Sequence, residues 1–110
     1  MAKYDFEIKR GDRRQPIEAF LRDGAGASVN LSGTTVRFHM VEDGGVMPKV
    51  NSPATIINPA TGHVRYEWVA EDTDTAGLYN AEWEVTFGDG TILTFPNNRH
   101  LTINIYPDLA

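Results

Sequence analysis

The sequence predicts an all-β protein, an immunoglobulin-like antiparallel β-sandwich of about seven or eight strands, in one domain spanning residues 1–110. Three observations carry that prediction. Tyr79, Ala81, Trp83, Val85 and Phe87 place an apolar residue at every second position, with Asn80, Glu82, Glu84 and Thr86 between them, the period of a half-buried strand and the longest clean alternation in the chain. The acidic turn before it enters the strand through Gly77-Leu78-Tyr79, as in the tyrosine corner of immunoglobulin-type sandwiches, where the phenol bonds back to the preceding loop; Ala81 stands where antibody domains carry a cysteine. Finally, eight short extended segments are punctuated by turn residues, with no helix-length pattern and no solenoid repeat.

Taken in order, Tyr4, Phe6 and Ile8 alternate with Asp5, Glu7 and Lys9 and stop at Gly11-Asp12, which predicts a first strand and its turn. Gln15 to Arg22 has both a helical spacing (Ile17, Phe20, Leu21, with Pro16 suited to a first turn) and an alternation of Ile17, Ala19 and Leu21. A strand is the better reading, because the later segments are all strands. Asp23 to Ser28 reads as a turn. Val36, Phe38 and Met40, alternating with Thr35, Arg37 and His39, predict a third strand that ends at Glu42-Asp43-Gly44-Gly45. Met47 to Pro53 contains two prolines and reads as irregular. Ala54 to Asn58 is a candidate short strand, Pro59 to Gly62 a turn, and Val64, Tyr66 and Trp68 alternate in a further strand. Gly88-Asp89-Gly90 joins Val85–Phe87 to Thr91–Phe95 as a hairpin, since Asp-Gly supplies the positive φ that tight turns need. Pro96 to Arg99 is a loop, and Leu101, Ile103 and Ile105 mark the last strand. The expected core is Phe38, Tyr66, Trp68, Tyr79, Trp83 and Val85.

Composition limits the chemistry. A chain of 110 residues has room for one core, burying roughly 65% of its unfolded surface. With no cysteine there is neither a disulfide framework nor a thiolate metal site. The N-terminus has no apolar leader segment, and no apolar run approaches the ~20 residues that cross a bilayer, so a soluble, cytosol-made protein without membrane contact is expected. The net charge of −5 outweighs the basic cluster Lys9, Arg10, Arg13 and Arg14, which argues against nucleic-acid binding.

No catalytic, cofactor or metal site is expected. His39, His63 and His100 lie on three segments without zinc spacing, and Glu71, Asp72 and Asp74 crowd one turn without the calcium-loop pattern. Asp72 or Asp74 is instead expected to accept backbone N–H bonds and shape the turn into the Tyr79 strand. Ser28, Ser32 and Ser52 lack any nucleophile motif, Gly24-Ala25-Gly26 lacks phosphate-loop spacing, and the Asn30-Leu31-Ser32 sequon has no meaning without secretion. A sugar-binding platform of exposed aromatics is the other reading of this architecture, but both tryptophans fall on the apolar side of their alternations.

Several motifs recur in a fixed order: Gly11-Asp12; Leu21 and Asp23; Val29-Asn30-Leu31-Ser32-Gly33 leading into Val36-Arg37-Phe38-His39-Met40; Thr61-Gly62-His63-Val64-Arg65-Tyr66; Asp72-Thr73; Gly77 through Trp83; Asp89-Gly90; and Phe95-Pro96. Together they make the chain, over about Tyr4 to Tyr106, resemble the immunoglobulin-like N-terminal domain of phage baseplate upper proteins. The resemblance implies a non-enzymatic structural component of a tailed-bacteriophage virion, made in the bacterial cytoplasm, that docks in multiple copies with other phage structural proteins on a symmetric particle. Because the sequence ends at Ala110, without the downstream part of such proteins, a capsid-decoration, neck or head–tail accessory role is an equal expectation. The poorly patterned segments, Asp43, Gly44, Gly45, Val46 and Met47 with Asn97, Asn98 and Arg99, are the expected partner contacts, since loops and free strand edges are what a sandwich offers to neighbours.

Overall fold

The computed structural model describes residues 4–96 and 99–109. Among these residues nine strands form two facing sheets: β1 (Phe6–Lys9), β2 (Ile17–Phe20), β3 (Thr35–Glu42), β4 (Pro48–Pro53), β5 (Thr55–Asn58), β6 (His63–Tyr66), β7 (Gly77–Thr86), β8 (Ile92–Phe95) and β9 (Leu101–Tyr106). The large sheet runs β1-β9-β7-β3-β4, with β8 also on β7, and the small one runs β2-β6-β5. The fold is thus the all-β, immunoglobulin-like sandwich that the alternation and turns predict.

The strand beginning at Gly77 is the spine of the large sheet. One edge of β7 pairs with β3 from Tyr79↔Glu42 to Thr86↔Thr35. Its other edge is shared: β9 covers Gly77 to Ala81 and β8 covers Trp83 to Thr86. Between them the chain passes through a cis Phe95–Pro96 bond. In the β7–β8 hairpin, Asp89 Oδ1 accepts from the Thr91 backbone N–H and hydroxyl, and Gly90 takes φ 89°. The tyrosine corner is present, with Tyr79 Oη donating to the Thr75 carbonyl at 2.7 Å.

The sheets bury their facing residues against each other. Phe38, Tyr66, Trp68, Tyr79, Trp83 and Val85 are all buried, joined by Val36, Met40, Val64, Ile103 and Ile105. Phe38 is central: it stacks on Tyr66 with centroids 4.9 Å apart, meets Trp83 at 4.8 Å and stands edge-on to Trp68 at 5.8 Å. Such aromatic pairs add about 0.5–1.5 kcal/mol each beyond the area they bury.

The structure settles the ambiguous second segment as a strand: Ile17 and Leu21 are buried while Glu18, Phe20 and Arg22 are exposed. Three local expectations need correction. Met47 to Pro53 is largely the strand β4 rather than irregular, because Pro48 and Pro53 occupy its two ends on the outer edge of the sheet, where a missing N–H breaks no ladder. The strand holding Val64 and Tyr66 stops before Trp68, whose indole N–H instead donates to the Gln15 carbonyl at 3.0 Å. And one ladder of the otherwise antiparallel fold, β1 on β9, is parallel. The turn at Pro59–Thr61 is a single 3-10 turn capped by the Asn58 side chain. Among the described residues no helix is long and apolar enough to cross a membrane.

Candidate docking surface

Asp43 to Met47 form the connection between β3 and β4, a tip rather than a loose loop. Asp43 N donates to the Leu78 carbonyl at 2.9 Å and Gly45 N to the Glu42 carbonyl at 2.7 Å, while Asn80 Nδ2 donates to Asp43 Oδ1 at 3.2 Å. The bonds to Leu78 and from Asn80 fasten the base of the tip to β7, and the Gly45–Glu42 bond closes the turn itself. Beyond it, Val46 and Met47 stand 89% and 78% exposed, a solvated apolar pair at the end of a sheet. Below the tip Lys49 Nζ reaches Asp74 Oδ1 at 2.7 Å, tying β4 to the turn before β7. That contact first, and the Thr75 hydroxyl second, hold the Asp74 carboxyl below its usual range.

His100, just after the second segment, lines one hollow together with Asp43 of the first. Asn97 and Asn98 fall outside the described residues. Arg99 Nη1 meets Asp5 Oδ2 at 3.2 Å and also donates to the His100 carbonyl at 3.1 Å. A shallow hollow of about 220 Å³ is lined by Asp43, Leu78, Asn80, His100 and Thr102, among others, and a second of about 160 Å³ by His39, Val41, Asn80, Glu82 and His100. The tip and the residues after Arg99 therefore border one continuous outer face of β7, which sequence spacing did not reveal, because they meet only through the pairing of β7 with both β3 and β9.

The acidic turn holds a buried structural carboxylate. Asp72 Oδ2 accepts from the Tyr66 hydroxyl at 2.6 Å and from the Val69 backbone N–H at 2.9 Å, and it is buried. Of the histidines, His63 contacts Glu18 at 2.7 Å and stacks on Phe20, and His39 lies 3.7 Å from Glu82. The described residues contain no group of three or more metal-binding side chains. In the basic cluster Arg10 pairs with Asp108 at 2.7 Å, while Arg13 and Arg14 line a broad, open concavity.

A sequence model described as the BppU N-terminal domain matches residues 23–108, most of the chain. The chain belongs to the BppU N-terminal domain family. That membership makes it a structural protein of the phage baseplate, a virion component that interacts with other phage structural proteins. Comparison with curated proteins gives no match. The matched span of this BppU-type chain includes all seven strands from β3 onward, and with them the hairpin tip and the outer face of β7.

Proposed function

We propose that this baseplate domain is a non-enzymatic docking module, present in many copies, that holds its neighbours through the β3–β4 tip (Asp43, Gly44, Gly45, Val46, Met47) and the adjoining Arg99 loop. The observation that supports it is the tip itself: two large apolar side chains are held in water on a hydrogen-bonded base, at a cost in solvation that only a covering partner recovers. Repetition on a symmetric particle multiplies one weak contact into stable attachment.

Because β4 is a sheet strand, removing the whole of Glu42 to Pro53 would damage the fold, so the test is a surface one. Val46→Ser and Met47→Ser together leave the base of the tip intact. Particles carrying the double variant, quantified by mass spectrometry, are expected to contain far less of the chain than wild-type particles, with the purified variant still folded. Normal incorporation would remove the tip from the docking surface.

A further inference from the structure

At the other flank of the molecule the two sheets do not close. A cleft of about 190 Å³ opens there, lined by Ala19, Phe20, Leu21 and Arg22 on one side and by Trp83, Phe95, Pro96 and Leu101 on the other. The volume is more than ten times the ~10–15 Å³ that one water needs. Its wall is apolar except for Arg22, whose side chain makes among the described residues only a long hydrogen bond of 3.3 Å to the Gly26 carbonyl. Phe20 stands at its rim, 54% exposed. The indole N–H of Trp83, a residue in that wall, is buried with no acceptor among the described residues. An apolar slot with one cation that meets no carboxylate among the described residues asks for an occupant that brings apolar side chains and a carboxylate.

The same chain carries such a segment. In the β3–β4 tip the exposed Val46 and Met47 follow Glu42 and Asp43, neither of which meets a cationic side chain among the described residues. Within one molecule the two cannot meet: β7 and β3 stand between the β8–β9 side, where the cleft opens, and β4, a separation of about three strand spacings or ~14 Å before the tip projects away. We propose that the Asp43–Met47 tip of one copy enters the Phe20–Leu101 cleft of a second copy, with Arg22 facing Glu42 and Asp43. The contact joins two different surfaces of identical chains, so it propagates from copy to copy as a ring or an open row. It deepens the docking reading above, on which it rests for the role of the tip, by naming a neighbouring copy as the tip's partner.

The absence of cysteine makes the test direct. Val46→Cys and Phe20→Cys are made as separate variants, one isotopically heavy, mixed in equal amounts and oxidised, and the disulfide dimers are sorted by mass. Random pairing of equal amounts would make mixed heavy–light dimers as numerous as the two like dimers together; they are expected instead to outnumber the like dimers several-fold, and that excess is expected to fall in high salt. Adding Arg22→Glu to the Phe20→Cys chain should remove the excess, and adding Asp43→Lys to the Val46→Cys chain as well should restore it, since each reversal alone sets like charges opposite each other. Tryptophan emission checks that every variant is folded. Mixed dimers at or below the random share, or no recovery in the double reversal, overturn the copy-to-copy contact. Particle incorporation of the serine variant is read separately, so failure here is distinguishable from failure of the tip as a docking element.

Discussion

The Tyr66 hydroxyl donates to the Asp72 carboxylate at 2.6 Å, across the loop that follows β6. The same oxygen accepts the Val69 N–H, so one buried carboxylate closes the loop from both sides. A hydrogen bond to a charged group contributes about 1.5–3 kcal/mol net. Tyr66→Phe is therefore expected to lower unfolding stability by about 2 kcal/mol, and Asp72→Ala by more, because it strands two donors. Urea titration followed by tryptophan emission checks both. A Phe variant as stable as the wild type would show that this bond is decorative.

The same contact predicts alkaline behaviour. Burial first, and then the bond to Asp72, push the Tyr66 hydroxyl far above its ordinary value of 10.0. Burial also raises Tyr79, and contact with the Glu7 carboxylate raises Tyr106. A raised folded-state value means that the folded protein holds its proton where the unfolded chain has lost it. The stability linked to these groups is thus complete below pH 10.0 and is lost as pH rises through their folded-state values. Phenolate absorbance is expected to show late-titrating tyrosines, and unfolding should set in above pH 10.0, at a higher urea sensitivity than at neutral pH. Titration of all phenols together at the ordinary value would contradict the burial of Tyr66.

Gly62 separates close approach from backbone freedom. It sits at φ 69° after the 3-10 turn, and an added Cβ would lie 2.6 Å from the Leu21 carbonyl oxygen and 3.1 Å from that of Val29. Gly26 has φ 86° with open space around it. Gly26→Ala should cost about the 1–2 kcal/mol of left-handed backbone alone. Gly62→Ala should cost clearly more, because two backbone carbonyls must move and the Leu21 N–H to Gly62 carbonyl bond at 2.9 Å moves with them. Thermal unfolding of the two variants side by side decides; equal losses would show that the strand junction yields without strain.

What the sequence by itself determined is the part of the fold written at period two. Which side chains of β3, β7 and β9 face inward, where Asp89-Gly90 turns, that Tyr79 bonds back to its loop, and that Asp72 or Asp74 accepts a backbone N–H in the acidic turn all follow from residues within a few positions of one another, so local chemistry sufficed. Pairing partners are a different matter. That Met47 to Pro53 is an edge strand, that β1 lies parallel to β9, that Trp68 seals the core from outside any strand, and that the tip and His100 border one face depend on segments up to about the full chain length apart. The apolar cleft is the clearest case: its wall joins Phe20, Trp83 and Leu101, and each of these reads correctly on its own strand while nothing in its neighbours along the chain says that the two sheets stay apart there. Side-chain alternation is a short-range property of extended backbone, whereas edges, seams and clefts exist only once the sheets have met.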